Sequence, residues 1–317
     1  MQSRDQLEFD AESTASATVD ACRKTHGAVL LRRAVPAAPL QEIRRYADLY
    51  AEEMREAIRV GHTSYFTWMF EQERITMPWE ATARGIPFLA TLLRTLILSP
   101  LWRHIETALN TAKIAVPLNV TYLRRVVDRL DAADTLPRGL GHFRAPHQDA
   151  SVVHHDYPIT TWVALEPVAY AEKSALAIWP IKHDVVYAPD ALRRFIADNA
   201  ECLWRPSYDV GDVMLFDSTT PHCTALYGSG QERFSVELRY CDAEQIPVAY
   251  ADCCPFLIVE SRKVPGDPLR RSFTIGQRNI AEIIDGTIPC GITTVGLPLF
   301  ARSMLNTDWQ LPPLPAA

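Results

Sequence analysis

Apolar and polar positions follow two different rhythms along this chain, and the change of rhythm divides it into regions. Ala28–Arg32 is a short apolar run that predicts a first strand, and Pro36 and Pro39 punctuate the chain just beyond it. Past those prolines Leu40, Ile43, Tyr46, Tyr50, Met54 and Ile58 recur at three- and four-residue steps, the stripe of an amphipathic helix. Ser99 and Pro100 read as an N-cap and a first-turn proline, with Leu101, Ile105 and Leu109 following at helical spacing. Near Pro117 the rhythm shortens. Segments 119–127, 159–166, 175–179, 202–205, Val213–Asp217 and 233–241 are short, rich in β-branched and aromatic residues, and separated by Pro, Gly and Asp, which predicts strands. A helix over residues 191–199 interrupts them.

A helical beginning followed by several short strands predicts a mainly β protein with flanking helices, built on a β-sandwich or jelly-roll core. The chain shows no repeat and no low-complexity linker. Residues 1–317 are therefore expected to form a single domain, with 1–116 mainly helical, 117–245 the jelly-roll core, and 246–317 a C-terminal extension. Strand signals weaken from Cys253 onward, and the proline-rich segment 311–317 reads as a loose tail.

Composition changes this picture little: 48% hydrophobic and 22% charged residues fit a globular chain and not a disordered one. The net charge of −6 argues against broad binding to nucleic acid or anionic membranes, while leaving room for a local basic pocket. The most apolar stretch, 86–98, is interrupted by Arg94 and too short to span a bilayer. Seven cysteines (Cys22, Cys202, Cys223, Cys241, Cys253, Cys254 and Cys290) are odd in number, widely spaced and without a Cys-x-x-Cys. Neither a disulfide framework nor a zinc knuckle follows from them. Segment 1–12 carries acids and lacks the apolar core of a secretory signal, so a reducing cytoplasm is the expected compartment.

The candidate chemistry lies among the strands. In Pro146-His147-Gln148-Asp149-Ala150, His147 and Asp149 stand two apart, so an extended backbone would aim both at one metal ion. Further on, Gly211-Asp212 turns into the apolar strand Val213–Asp217, and Ser218-Thr219-Thr220-Pro221 leads to His222. His147, Asp149 and His222 together make a two-histidine, one-carboxylate facial triad, which leaves positions open on one side of a ferrous ion. In the strand beyond, alternation puts Arg233, Ser235, Glu237 and Arg239 on one face and Phe234, Val236, Leu238 and Tyr240 on the other. A guanidinium at Arg233 suits a carboxylate, held through two parallel hydrogen bonds, with Ser235 able to add another. The bland reading of the same strand is a half-exposed edge with a polar outer face.

The order of these motifs, with Thr161-Trp162-Val163-Ala164-Leu165 and Ile178-Trp179-Pro180-Ile181-Lys182-His183 between them, resembles the phytanoyl-CoA dioxygenase family. The resemblance covers roughly residues 20–245 and is most specific over 146–240. It implies a double-stranded β-helix, the cupin-like jelly roll, and an Fe(II)/2-oxoglutarate-dependent dioxygenase that consumes O2 and releases succinate and CO2. It implies that His147, Asp149 and His222 bind iron, and that Arg233 grips the distal carboxylate of 2-oxoglutarate. Thr224 and Trp162 match positions beside the co-substrate. The family's usual Pro-Gly-Ser-His reads Pro180-Ile181-Lys182-His183 here, and its Asn-Gly turn reads Lys173-Ser174, which mark a divergent branch. Related halogenases carry Ala or Gly where this chain has Asp149, so oxygen-atom chemistry is expected instead of chlorination.

Rival residues have simpler readings. His154 and Asp156 form a second His-x-Asp, a rival ligand pair that stands closer to Trp162 than the resembled pattern has it, so His147 and Asp149 are preferred; His154 and His155 read as a polar loop near the mouth, with a substrate contact as the alternative. His142 and His183 read as hydrogen-bonded structural histidines. Arg144, Arg239 and Gln148 are the candidate substrate contacts, with Arg124 and Arg125 as further arginines for an acidic substrate. Tyr65, Trp68 and Phe70 read as core packing, with a lid over an apolar substrate as the alternative. The substrate is expected to be a small metabolite, carboxylated or an acyl thioester, that is hydroxylated at an unactivated C–H bond. Desaturation, epoxidation or cyclisation in natural-product biosynthesis are the alternatives, and a zinc hydrolase or a non-catalytic jelly-roll binding protein are the rival classes.

Overall fold

In a computed structural model of the protein, the described residues are 4–63, 67, 70–71, 74–76, 85–118, 121–129, 146–152, 157–170, 172–246, 256–262 and 270–275. The strands are β1 (Glu8–Asp10), β2 (Ala28–Arg32), β3 (Arg74–Thr76), β4 (Lys113–Pro117), β5 (Tyr122–Val127), β6 (Ile159–Ala164), β7 (Ala175–Ile178), β8 (Val213–Asp217), β9 (His222–Ala225), β10 (Glu232–Asp242), β11 (Phe256–Arg262) and β12 (Arg270–Ile275). The helices are α1 (Ser16–His26), α2 (Ala37–Arg59), α3 (Gly85–Ile97), α4 (Leu101–Leu109) and α5 (Pro189–Asp198).

Strands β1-β2-β8-β6-β10-β4-β11-β12 hydrogen-bond in that order as one large sheet, with β5 also paired to β10 and β3 to β5. Strands β7 and β9 form a small second sheet. Single bridges add His147 beside His222 and Trp204 beside Ile178 to that small sheet. Alternation along the large sheet builds two cores. Val29, Leu31, Val163, Val213, Leu215, Phe234, Val236 and Leu238 pack with Leu40, Ile43, Leu96, Trp102 and Ile105 of the helices. Ala28, Leu30, Trp162, Ala164, Met214 and Phe216 point the other way and pack with Leu176 and Ile178 of the small sheet. Helices therefore cover one face of the large sheet, and the small sheet covers the other, which is the jelly-roll arrangement.

The structure departs from the sequence reading at several places. Residues 202–205 do not form a strand: a 3-10 turn, Ala200–Cys202, precedes the single Trp204 bridge. Ser99 does not cap α4 with its side chain; its hydroxyl donates to the Leu96 carbonyl at 2.6 Å and closes the preceding helix instead. The N-terminal region contributes β1, β2 and β4 to the large sheet, and β11 and β12 extend that sheet beyond residue 246. Strand β10 is no edge: it pairs with β4, β5 and β6, and its polar face is turned inward. Phe70 is buried, with the Arg125 guanidinium 4.3 Å above its ring. Tyr65 and Trp68, like Cys253, Cys254 and Cys290, lie outside the described residues. Cys22, Cys202, Cys223 and Cys241 carry no disulfide. Among the described residues no helix is long and apolar enough to cross a membrane.

One turn that places the site depends on a glycine. Gly211 has φ +88°, its N–H donates to the Ala164 carbonyl, and its own carbonyl accepts from the Val35 N–H at 3.0 Å. A Cβ there would stand 2.0 Å from the Val35 carbonyl oxygen. Backbone and not a flexible side chain blocks that space, and the left-handed φ adds strain. Gly211→Ala is expected to cost at least about 3 kcal/mol. Thermal denaturation checks this, and an unchanged melting temperature would refute it.

Candidate metal centre

The large and small sheets bring the predicted ligands together. His147 and His222 are a hydrogen-bonded antiparallel pair, each N–H donating to the other's carbonyl at 2.9 Å. Cross-strand neighbours of this kind present their side chains on one face, and the two imidazoles stand 4.3 Å apart between ring centres. Asp149 reaches the same point by a different route from the extended segment expected. It is the first residue of a single helical turn, Asp149–Val152, so the chain bends between it and His147. One ligand atom from each of His147, Asp149 and His222 lies within 4.8 Å of the others.

The histidine tautomer is set by its surroundings. His222 Nδ1 lies 3.0 Å from the Thr220 carbonyl, so the proton belongs on Nδ1 and the Nε2 lone pair faces inward. That Nε2 stands 3.8 Å from Asp149 Oδ1. Burial alone would raise the Asp149 carboxyl, but the charge of Arg239, with the two imidazoles, overrides burial and holds it well below the usual carboxylate range. Arg239 Nη2 donates to Asp149 Oδ1 at 2.8 Å, and Thr160 Oγ1 donates to Oδ2 at 2.7 Å. Two imidazoles with one ionised carboxylate suit a first-row divalent metal.

Arg233 lies on the inward face of the same strand as Arg239 and is 1% exposed. Its Nη1 donates to Ser235 Oγ at 2.5 Å, and its guanidinium sits 5.0 Å from the centre of the Trp162 ring. Its Nε has no hydrogen-bond partner, and among the described residues no carboxylate lies within ion-pair distance. Burial pushes this guanidinium down to about 10, with Glu237 and Glu166 opposing that shift. A buried, unpaired cation with a free donor is costly unless an anion completes it. Thr224 is buried on β9 two residues beyond His222, on the same face of that strand.

Two expected substrate contacts have other occupations. Gln148 is fully buried: its amide nitrogen donates to the carbonyls of Val185 and Thr219, and its oxygen accepts from the Tyr187 N–H at 2.8 Å. The whole amide is used to hold the 185–187 segment against the metal motif. Arg239 turns its Nη2 onto Asp149. Arg144, His142, His154, His155 and Asp156 lie outside the described residues. His183 bonds the Val185 carbonyl at 3.1 Å, as a structural histidine does. Asp217 is committed to Arg23 and Lys182, and Asp212 to Arg32 and the Arg33 and Asp209 N–H groups. Arg124 pairs with Glu237 at 3.0 Å and Arg125 with Glu232. Sequence reasoning does not single out Thr160. The signal available is its place two residues before Trp162, on the inward face of β6.

No family model and no curated protein matches the chain. Solved structures do. The non-heme alpha ketoglutarate dependent epimerase SnoN from nogalamycin biosynthesis is 17% identical, with 83% of this chain and 96% of that one covered and a TM-score of 0.50. EctD from S. alaskensis, solved with 2-oxoglutarate and 5-hydroxyectoine, is 14% identical over 75% of this chain and 79% of its own, with a TM-score of 0.50. AviO1 from Streptomyces viridochromogenes Tue57 is 15% identical over 74% and 97%, with a TM-score of 0.51. The chain shares their fold.

Proposed function

We propose that the protein is a mononuclear non-haem iron enzyme that uses 2-oxoglutarate and O2 to hydroxylate an unactivated C–H bond of a small metabolite. The observation that carries this reading is the pairing of two features inside one jelly roll. A His147–Asp149–His222 donor set converges on one point, and a buried Arg233 has an unpartnered Nε and, among the described residues, no carboxylate within ion-pair distance. When bound, iron would bring O2 to the site as the oxidant, with 2-oxoglutarate giving up two electrons as it becomes succinate and CO2 and the substrate C–H bond giving up the other two. The chain's own residues do the rest. His147, Asp149 and His222 would hold the metal, and Arg233 and Ser235 would receive the distal carboxylate of 2-oxoglutarate, with Thr224 and Trp162 beside it. Trp162, Phe216 and Ile178 belong to one buried apolar cluster, with Phe216 4.8 Å from His222 between ring centres and Ile178 paired to it, and would limit water at the ligands. A zinc hydrolase has no use for a buried guanidinium placed to receive a second carboxylate, and a binding protein has no use for three converged ligands.

SnoN is an epimerase, and the fold neighbours support the cofactor more than any one outcome. Hydroxylation is the preferred reading. Desaturation, epoxidation or cyclisation would follow from another placement of the substrate carbon. The substrate is read as a small carboxylated metabolite or an acyl thioester, met in the cytoplasm, where free thiols persist. Anaerobic addition of ferrous iron and 2-oxoglutarate is expected to produce a visible charge-transfer band that neither component gives alone. Absence of that band, with the protein folded, would refute the assignment.

A further inference from the structure

We propose that Thr160 and Arg239 act as a clamp that makes Asp149 a one-oxygen ligand and so keeps the rest of the metal's coordination open; this rests on the iron and 2-oxoglutarate reading above. A carboxylate can meet a metal through one oxygen or both. Here Oδ2 accepts the Thr160 hydroxyl at 2.7 Å, and Thr160 is 1% exposed, so no water competes for that bond. Oδ1 is the oxygen nearer His222 Nε2, at 3.8 Å, and it also accepts from Arg239 Nη2 at 2.8 Å. The metal-facing atom is therefore Oδ1. Rotating Oδ2 into a chelate would break a buried, charge-assisted hydrogen bond with nothing to replace it.

Arg239 is itself fixed. Glu237 lies two residues earlier on the same face of β10, with Oε2 3.7 Å from Arg239 Nη2, and Arg124 of β5 holds that same Oε2 at 3.0 Å. Asp149, Arg239, Glu237 and Arg124 thus alternate in sign away from the metal. The alternation lets a guanidinium stand beside a metal ligand without remaining an uncompensated buried cation. Thr160 and Arg239 are positioning residues: neither reaches the metal, and both set the angle of the group that does. A triad with a one-oxygen carboxylate leaves room for a bidentate co-substrate and O2 together, and a chelating carboxylate would fill a position that one of them needs.

The test uses Co(II) as the probe, titrated into the full chain with and without 2-oxoglutarate. Thr160→Val keeps the shape and branching of the side chain, so β6 is retained, but it frees Oδ2. Its Co(II) form is expected to show an altered visible spectrum and about 10–100-fold weaker 2-oxoglutarate binding, the size of loss typical of an outer-shell partner. Thr160→Ser restores the hydroxyl and is expected to restore both. Arg239→Met is expected to weaken Co(II) itself by a similar factor. A Thr160→Val protein with the wild-type spectrum and wild-type 2-oxoglutarate affinity would overturn the clamp alone. Wild-type protein that takes up no Co(II) would overturn the clamp and the oxygenase reading together.

Discussion

Alanine at His147 is expected to abolish succinate release while leaving the protein folded, and alanine at Asp149 to abolish it while also weakening the fold. Both changes remove one of three ligands. The expected loss of metal affinity is greater than the roughly 10–100-fold that removal of an outer-shell partner brings. The two variants part company in stability. His147 is half-buried, and its backbone bridge to His222 survives the substitution, so little holding energy is lost. Asp149 is 4% exposed and is the carboxylate against which the Arg239 guanidinium rests. Without it, the carboxylate within 4 Å of Arg239 among the described residues is Glu237 at 3.7 Å, already shared with Arg124. Breaking a buried pair from one side costs about 3–5 kcal/mol, and the shared Glu237 reduces that toward the lower end. Asp149→Ala should therefore melt several degrees below His147→Ala, with neither turning over. Succinate release under O2 and thermal unfolding of the metal-free proteins decide the matter. Turnover retained in both variants would remove these residues from the metal, and equal melting temperatures would remove the ion pair from the stability argument.

That asymmetry is hidden in the sequence for a physical reason. Alternation along β10 is legible, because Phe234, Val236, Leu238 and Tyr240 stand at strict two-residue spacing. Which face is wet is not. Arg233, Ser235, Glu237 and Arg239 read equally well as a solvated edge, and only the small sheet across from them makes that face an interior. The strand Val213–Asp217 and the α2 stripe are readable because burial on both sides, or on one helical face, writes itself into consecutive residues. Residues 202–205 mislead because their apolar character serves burial of Trp204 in a single bridge, not a ladder. The triad can be read because His147 and Asp149 stand two apart in one short motif and His222 follows a glycine-aspartate turn and an apolar strand. Thr160 cannot, since a threonine in a β-rich run is ordinary until Asp149 is seen folding back onto it. Gln148 misleads for the opposite reason: its place between two ligands looks functional, whereas its amide is used up by three backbone groups.

Arg233→Met is expected to act with opposite signs on co-substrate binding and on the stability of the metal-free protein. In the absence of a carboxylate, Arg233 is a buried cation that holds one hydrogen bond to Ser235 and leaves its Nε unmatched. Its pKa of about 10 in the fold lies below the ordinary guanidinium range, because burial disfavours the charged form. A base depressed in this way is charged at neutral pH at a cost on the order of 3 kcal/mol, and stability rises only as pH climbs from that value toward the unfolded one. Methionine fills similar space without the charge, so the metal-free variant should melt no lower than wild type, and higher by a few degrees if half the cost is recovered. Binding moves the other way. Loss of one partner from a buried charged pair typically costs about 2–5 kcal/mol, which is roughly 30-fold to several thousand-fold in 2-oxoglutarate affinity. The apparent KM for 2-oxoglutarate should rise accordingly, with metal affinity unchanged, since Arg233 makes no contact with the triad. A residue kept only for packing would show the reverse: a lower melting temperature and an unaltered requirement for co-substrate. That result would strip Arg233 of its role and leave the convergence of His147, Asp149 and His222 as the sole support for the chemistry.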